Sequence, residues 1–196
     1  MNSGQARRMF YKKLGVIVDL DGRKISLNGL IVKETGFVFH KALHVMQSES
    51  VEEPITINIL RSGGGSCITS IMIYAMLRIC AAPVKSVVRY YAKSGACYIF
   101  EGASERVMMS GSFVELHWAV LPGFDDCLTV DDIKVEYDYL LRMNNHIYNM
   151  IRERTGMPMG AIKKLCKTSA PINPKQAIQL GLADKIGGRK SRKHKK

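Results

Sequence analysis

Residues 55–103 read ITINILRSGGGSCITSIMIYAMLRICAAPVKSVVRYYAKSGACYIFEGA, and this stretch decides the fold. Ile55 to Leu60 is β-branched and apolar, and it runs directly into Ser62-Gly63-Gly64-Gly65-Ser66. A nearly all-apolar segment follows the glycines, Ile68 to Ala82, and Pro83 ends it. Strand, glycine turn, buried helix and a second strand over Val84 to Tyr91 make a βαβ unit. The pattern then repeats with a turn at Lys93-Ser94-Gly95, an apolar helix over Ala96–Gly102 and a strand over Arg106–Met109. Strands and helices in alternation imply an α/β fold with a mainly parallel sheet.

Outward from that core, Lys24 to Leu27 reads as a short strand before an Asn28-Gly29 turn. Thr35 to Met46 carries Phe37, Val38, Ala42, Val45 and Met46 at helical spacing. Downstream, Ser112–His117 predicts a further strand, and Val130 to Arg154 the longest amphipathic helix, opened by Thr129 or Asp131 as a cap. Thr155-Gly156-Met157-Pro158 stops it, and Lys175 to Leu180 is a last short helix with Gly181 at its end. The expected organisation is a poorly ordered basic arm over residues 1–23, one domain over 24–188, and a disordered basic tail over 189–196.

A chain of 196 residues with 46% hydrophobic content suits a single globular domain. The longest apolar stretch, Ile68 to Val84, is broken by Arg78 and is shorter than the ~20 residues of a membrane span. The N-terminus shows no apolar signal-peptide core, so a cytoplasmic protein is the expectation. Five widely spaced cysteines (Cys67, Cys80, Cys97, Cys127, Cys166) suit reduced thiols and contain no C-x-x-C pair. The net charge of +12 sits at the ends: six cations lie within residues 189–196, and Arg7, Arg8, Lys12 and Lys13 add four near the start. Such a tail would bind polyanions weakly and with strong salt dependence, and two basic ends do not make a nucleic-acid groove.

A glycine turn between strand and helix presents N–H groups where negative charge is stabilised. Neither the P-loop lysine spacing nor G-x-G-x-x-G is present, which leaves an oxyanion hole as its chemical use. Ser94 is the nucleophile candidate, between an apolar strand and an apolar helix with Gly95 and Ala96 beside it; a plain N-cap is the alternative. His117 closes the strand SFVELH and is the candidate base, against the alternative of a half-buried histidine bonded to backbone. His40 and His44 lie four apart on one helical face, but no acidic or cysteine ligand is clearly paired with them, so neither metal nor cofactor is assigned.

These segments resemble the Clp protease proteolytic-subunit family. RKISLNGLI is similar to that family's opening strand and turn, ILRSGGGSCITSIMIYAM to its glycine turn and helix, and AKSGACYIFEGA to its nucleophile helix. SFVELH resembles the histidine strand, and TGMPMGAIKK with PKQAIQLGLADKIG the C-terminal segment, with no gap from Gly65 to Ser94. The resemblance implies a ClpP/crotonase-like fold of repeated ββα units with a long handle helix. It also implies a serine endopeptidase: Ser94 as nucleophile, His117 as base, the Gly65 and Gly95 N–H groups as oxyanion hole, and Gly63 and Gly64 along the backbone of a polypeptide substrate. Heptameric or stacked homo-oligomeric rings, and an ATP-dependent unfoldase partner, follow from the same resemblance.

One position departs from the family. Ser169 stands where the family carries its third catalytic residue, an aspartate. Three readings stay open: a Ser–His dyad, an acid recruited from Asp125 or Asp126, or a catalytically weak or inactive ring subunit. Lys93 is a further candidate base, and an acyl-CoA enzyme of the crotonase type is the alternative chemistry on the same fold.

Overall fold

Ile55, Ile57 and Ile59 are completely buried, and the strand that carries them is the middle of the sheet. The computed structural model describes residues 7–121 and 127–188. In chain order the elements are β1 (Arg8–Tyr11), β2 (Val16–Asp19), β3 (Lys24–Leu27), α1 (Lys33–Glu49), β4 (Ile55–Ser62), α2 (Cys67–Arg78), β5 (Val84–Lys93) and α3 (Gly95–Glu101). Then come β6 (Glu105–Met109), β7 (Phe113–Glu115), α4 (Val130–Thr155), α5 (Met159–Thr168), α6 (Pro174–Gln179) and β8 (Lys185–Gly187). The sheet runs β1-β2-β3-β4-β5-β6-β8, parallel from β3 onward, with β7 pairing the end of β5.

Register explains why both apolar patterns read so clearly. Ile25, Ile57 and Ser86 stand in one row across the sheet, and Leu27, Ile59 and Val88 in another. These rows share a core with Phe39, Leu43 and Met46 of α1, Ile73 and Leu77 of α2, and Ile99 and Phe100 of α3. Each crossover thus lays an apolar helix over the parallel strands, as a βαβ unit requires.

The basic-arm expectation is corrected over residues 8–23. Residues 8–19 form β1 and β2, which extend the sheet antiparallel to β3, and Val16 and Val18 are core residues. The basic side chains obscured a period-two pattern in Val16-Ile17-Val18-Asp19. Asp21-Gly22 is the turn of the β2–β3 hairpin, and Arg23 follows it at φ 48°. Its guanidinium is buried and donates to the Met46, Ser50 and Glu53 carbonyls, neutralising the C-terminal end of α1. Residues 189–196 lie outside the described residues. So do residues 1–6.

Helix α4 is capped by Thr129, whose side chain accepts from the Asp132 N–H while Asp132 accepts from Thr129. Its first half leaves Val130, Ile133, Val135, Tyr137 and Leu141 exposed, Met143 rests half-buried against the core, and the fully buried positions begin at Ile147. Among the described residues, no helix is long and apolar enough to cross a membrane.

Candidate active site

Strand β5 ends at Lys93 and α3 starts at Gly95, so the chain must reverse within the single residue Ser94. It does so at φ 52°, ψ −128°, a conformation costly for any residue with a Cβ. Strain of this kind persists only where surrounding structure holds it. Here the Ser94 N–H donates to Glu115 O of β7 at 2.9 Å. The side chain is half-buried and makes no capping bond to α3, so the plain N-cap alternative is not what the geometry shows.

The glycine turn after β4 lies directly against this elbow. A Cβ on Gly64 (φ 90°) would come within 2.6 Å of Ser94 Cβ and 3.0 Å of the Gly95 nitrogen. Gly65 (φ 139°) is pressed against Ile31, which bridges it in parallel and accepts from Ser66 N–H. Gly95 is pressed against Ser70 of α2, which draws the N-terminal ends of α2 and α3 together. Among the described residues, neither the Gly65 nor the Gly95 N–H has a hydrogen-bond partner. The Gly63 Cα faces open space. The glycine turn and the strained serine therefore lie in contact, with the unpaired Gly65 and Gly95 N–H groups each one residue from that contact.

His117 is half-buried just past β7, the strand whose Glu115 carbonyl holds Ser94. Its own carbonyl accepts from the hydroxyl of buried Tyr98 at 3.3 Å. Its Nδ1 lies 2.6 Å from the Trp118 carbonyl. A carbonyl only accepts, so Nδ1 carries the proton and Nε2 is left with its lone pair. No hydrogen bond joins Ser94 Oγ to His117 among the described residues, a looseness common in unliganded hydrolases.

Ser169 caps α5 in the left-handed conformation (φ 47°), and its hydroxyl donates to Cys166 O at 3.4 Å. The chain then pairs with β7: Ile172 and Val114 exchange two backbone bonds of 2.8 and 3.0 Å in an antiparallel bridge. The bridge is confined to that pair, and no hydrogen bond joins Ser169 to His117 among the described residues. Lys93 is engaged elsewhere, paired with Glu115 at 3.0 Å and lying over the Phe113 ring. Cys97 is buried beside the Ala92 and Glu115 carbonyls, and burial pushes its thiol well above the ordinary range. Asp125 and Asp126 lie outside the described residues.

Residues 10–190 match the family model described as Clp protease. The chain belongs to the Clp protease family. It is 31% identical over 169 residues to the ATP-dependent Clp protease proteolytic subunit 2 of Treponema denticola, covering 85% of this chain and 82% of that protein. It is 25% identical over 130 residues to the ATP-dependent Clp protease proteolytic subunit of Cuscuta gronovii, covering 65% of each. The structure superposes on a ClpP1 mutant from Listeria monocytogenes, which carries an asparagine-to-aspartate substitution, with a TM-score of 0.75. That match has 24% identity and covers 87% of this chain and 94% of the other. Membership makes the protein a Clp-type peptidase in fold and descent. Tyr98, which holds the His117 carbonyl, and Asn144, which holds the neighbouring peptide, carry no sequence signal. Both act through backbone groups that no motif records.

Proposed function

We propose that the protein is a serine endopeptidase acting through an acyl-enzyme on Ser94. The observation that carries this reading is the strained Ser94 elbow set against the glycine turn. Ser94 Oγ attacks the scissile carbonyl and passes its proton to His117 Nε2. The Gly65 and Gly95 N–H groups stabilise the oxyanion, and His117 returns the proton to the departing amine before water releases the acyl group. The open space over Gly63 accommodates extended substrate backbone added as a strand beside Gly63 and Gly64. The exposed apolar first half of α4 supports assembly into rings, the homo-oligomeric state the resemblance implies. An ATP-dependent unfoldase feeding such rings is part of the same reading, because the curated relatives are titled ATP-dependent.

A fluorophosphonate probe tests the reading. The expected result is a covalent adduct on the native protein that disappears in Ser94→Ala. Native protein as unreactive as the variant would overturn it. The serine at position 169 favours one other reading, a ring subunit without activity, and that failure accompanied by large oligomers in light scattering would support it.

A further inference from the structure

The Trp118–Ala119 peptide bond has a partner at each end. Its carbonyl lies 2.6 Å from His117 Nδ1, and its N–H donates to Asn144 Oδ1 at 2.7 Å. The chain contains no cis peptide among the described residues, so this C=O and N–H point in opposite directions. A side chain that holds the N–H on one side therefore aims the carbonyl on the other. Asn144 sits on α4 between Met143, which packs against the core, and Ile147, the first fully buried residue of that helix. From there its amide oxygen is anchored to the body of the protein.

We infer that Asn144 is a positioning residue for His117, acting through the 118–119 peptide in place of a charged third triad member. This inference rests on the proposed Ser94–His117 chemistry and assigns the orienting role that Ser169 leaves open, since the Ser169 hydroxyl is bonded to Cys166 O. When Ser94 Oγ gives its proton to Nε2, the Nδ1 proton stays in its bond to the Trp118 carbonyl, and the imidazolium is held by a dipole. A peptide dipole orients the ring as a carboxylate does but supplies less charge, so geometry alone must keep Nε2 directed at Ser94. The arrangement also makes the handle helix a support of the active site, because the anchor of the histidine is a residue of that helix.

Two variants separate the role from general packing. Asn144→Leu keeps the size and loses the acceptor; Asn144→Asp keeps the acceptor. The expected result is a kcat about 100-fold lower in Asn144→Leu with KM little changed, and recovery of most of that loss in Asn144→Asp. An independent readout that does not need turnover is the 15N spectrum of protein with labelled histidines, with His117→Gln for assignment. The native His117 should be the Nδ1-protonated tautomer, and Asn144→Leu should shift it to a mixture. A native His117 protonated on Nε2, or a tautomer unchanged in Asn144→Leu, would overturn the inference whether or not Ser94 proves reactive. An inert native protein with the expected tautomer change would sustain the inference and reject the peptidase reading. Should Asn144→Leu fold poorly, Asn144→Ser, with a shorter acceptor, must give an intermediate tautomer ratio; a native-like ratio there overturns the inference as well.

Discussion

At the scale of single residues, the site is built from positions that a side chain would spoil and one where a side chain is forced to stay. Gly64 and Gly65 hold left-handed φ values with no room for a Cβ, while Ser94 holds φ 52° in spite of its own. Ser169 is the residue where chemistry and geometry part company. It stands at the position where the family resemblance puts an aspartate, yet its hydroxyl carries no charge and is bonded to Cys166 O. Ser169→Asp should therefore raise kcat by about tenfold or more, within the roughly 10⁴ that the charge and geometry of an aspartate provide in another triad. The added carboxylate would accept the Nδ1–H hydrogen bond in place of the Trp118 carbonyl and make Asn144 dispensable. Peptide-substrate kinetics of the single variant and of Ser169→Asp with Asn144→Leu check both statements.

At the scale of elements, α1 illustrates how a distant arginine finishes a helix. The chain leaves α1 at Ser50 without a glycine cap, and the carbonyls of Met46, Ser50 and Glu53 are met instead by the Arg23 guanidinium. Replacing it with an apolar side chain of similar length leaves the Ser50 and Glu53 carbonyls without donors, while Met46 O keeps only the Ser50 N–H. Arg23→Met should cost roughly 2 kcal/mol, the scale of hydrogen bonds to a charged group, and lower the thermal midpoint without removing Ser94 labelling. The elements legible in sequence were β3 to β7, α1 to α4 and α6, each marked by periodicity or by a flanking turn. Strands β1, β2 and β8 and helix α5 were not: β1 and β2 hide among basic residues, β8 has three residues, and α5 follows a Thr-Gly-Met-Pro stop too closely.

At the scale of the molecule, one buried charge cluster ties α3 to the rest. Glu101 at the end of α3 pairs with Arg106 of β6 at 2.5 Å, and Arg106 also pairs with Asp184 at 2.7 Å before β8. Arg154 of α4 donates to the carbonyls of Glu101 and Ala103. Burial outweighs the arginine and pushes the Glu101 carboxyl up to about 7. A value raised on folding means the folded state holds the proton more tightly. The contribution is complete below the ordinary value of 4.5 and is lost as pH rises through about 7. Asp184 has the opposite sign, held low by Arg106: its contribution is complete above the ordinary value of 3.8 and is lost only as pH falls below it. Glu101→Gln should thus flatten the dependence of the thermal midpoint on pH between 4.5 and 7, leaving the acid limb in place. A native slope unchanged in the variant would contradict this account.

The amino-acid sequence by itself determined the alternating α/β order, the glycine turn, the Ser94 elbow and the absence of an acid at Ser169, because periodicity and glycine placement are local properties of the chain. Only the tertiary structure decided how His117 is held. Its orienting groups are the Trp118 carbonyl, Asn144 on α4 and Tyr98 on α3. Backbone carbonyls are identical at every residue, so which of them meets a histidine depends on packing between elements distant in sequence.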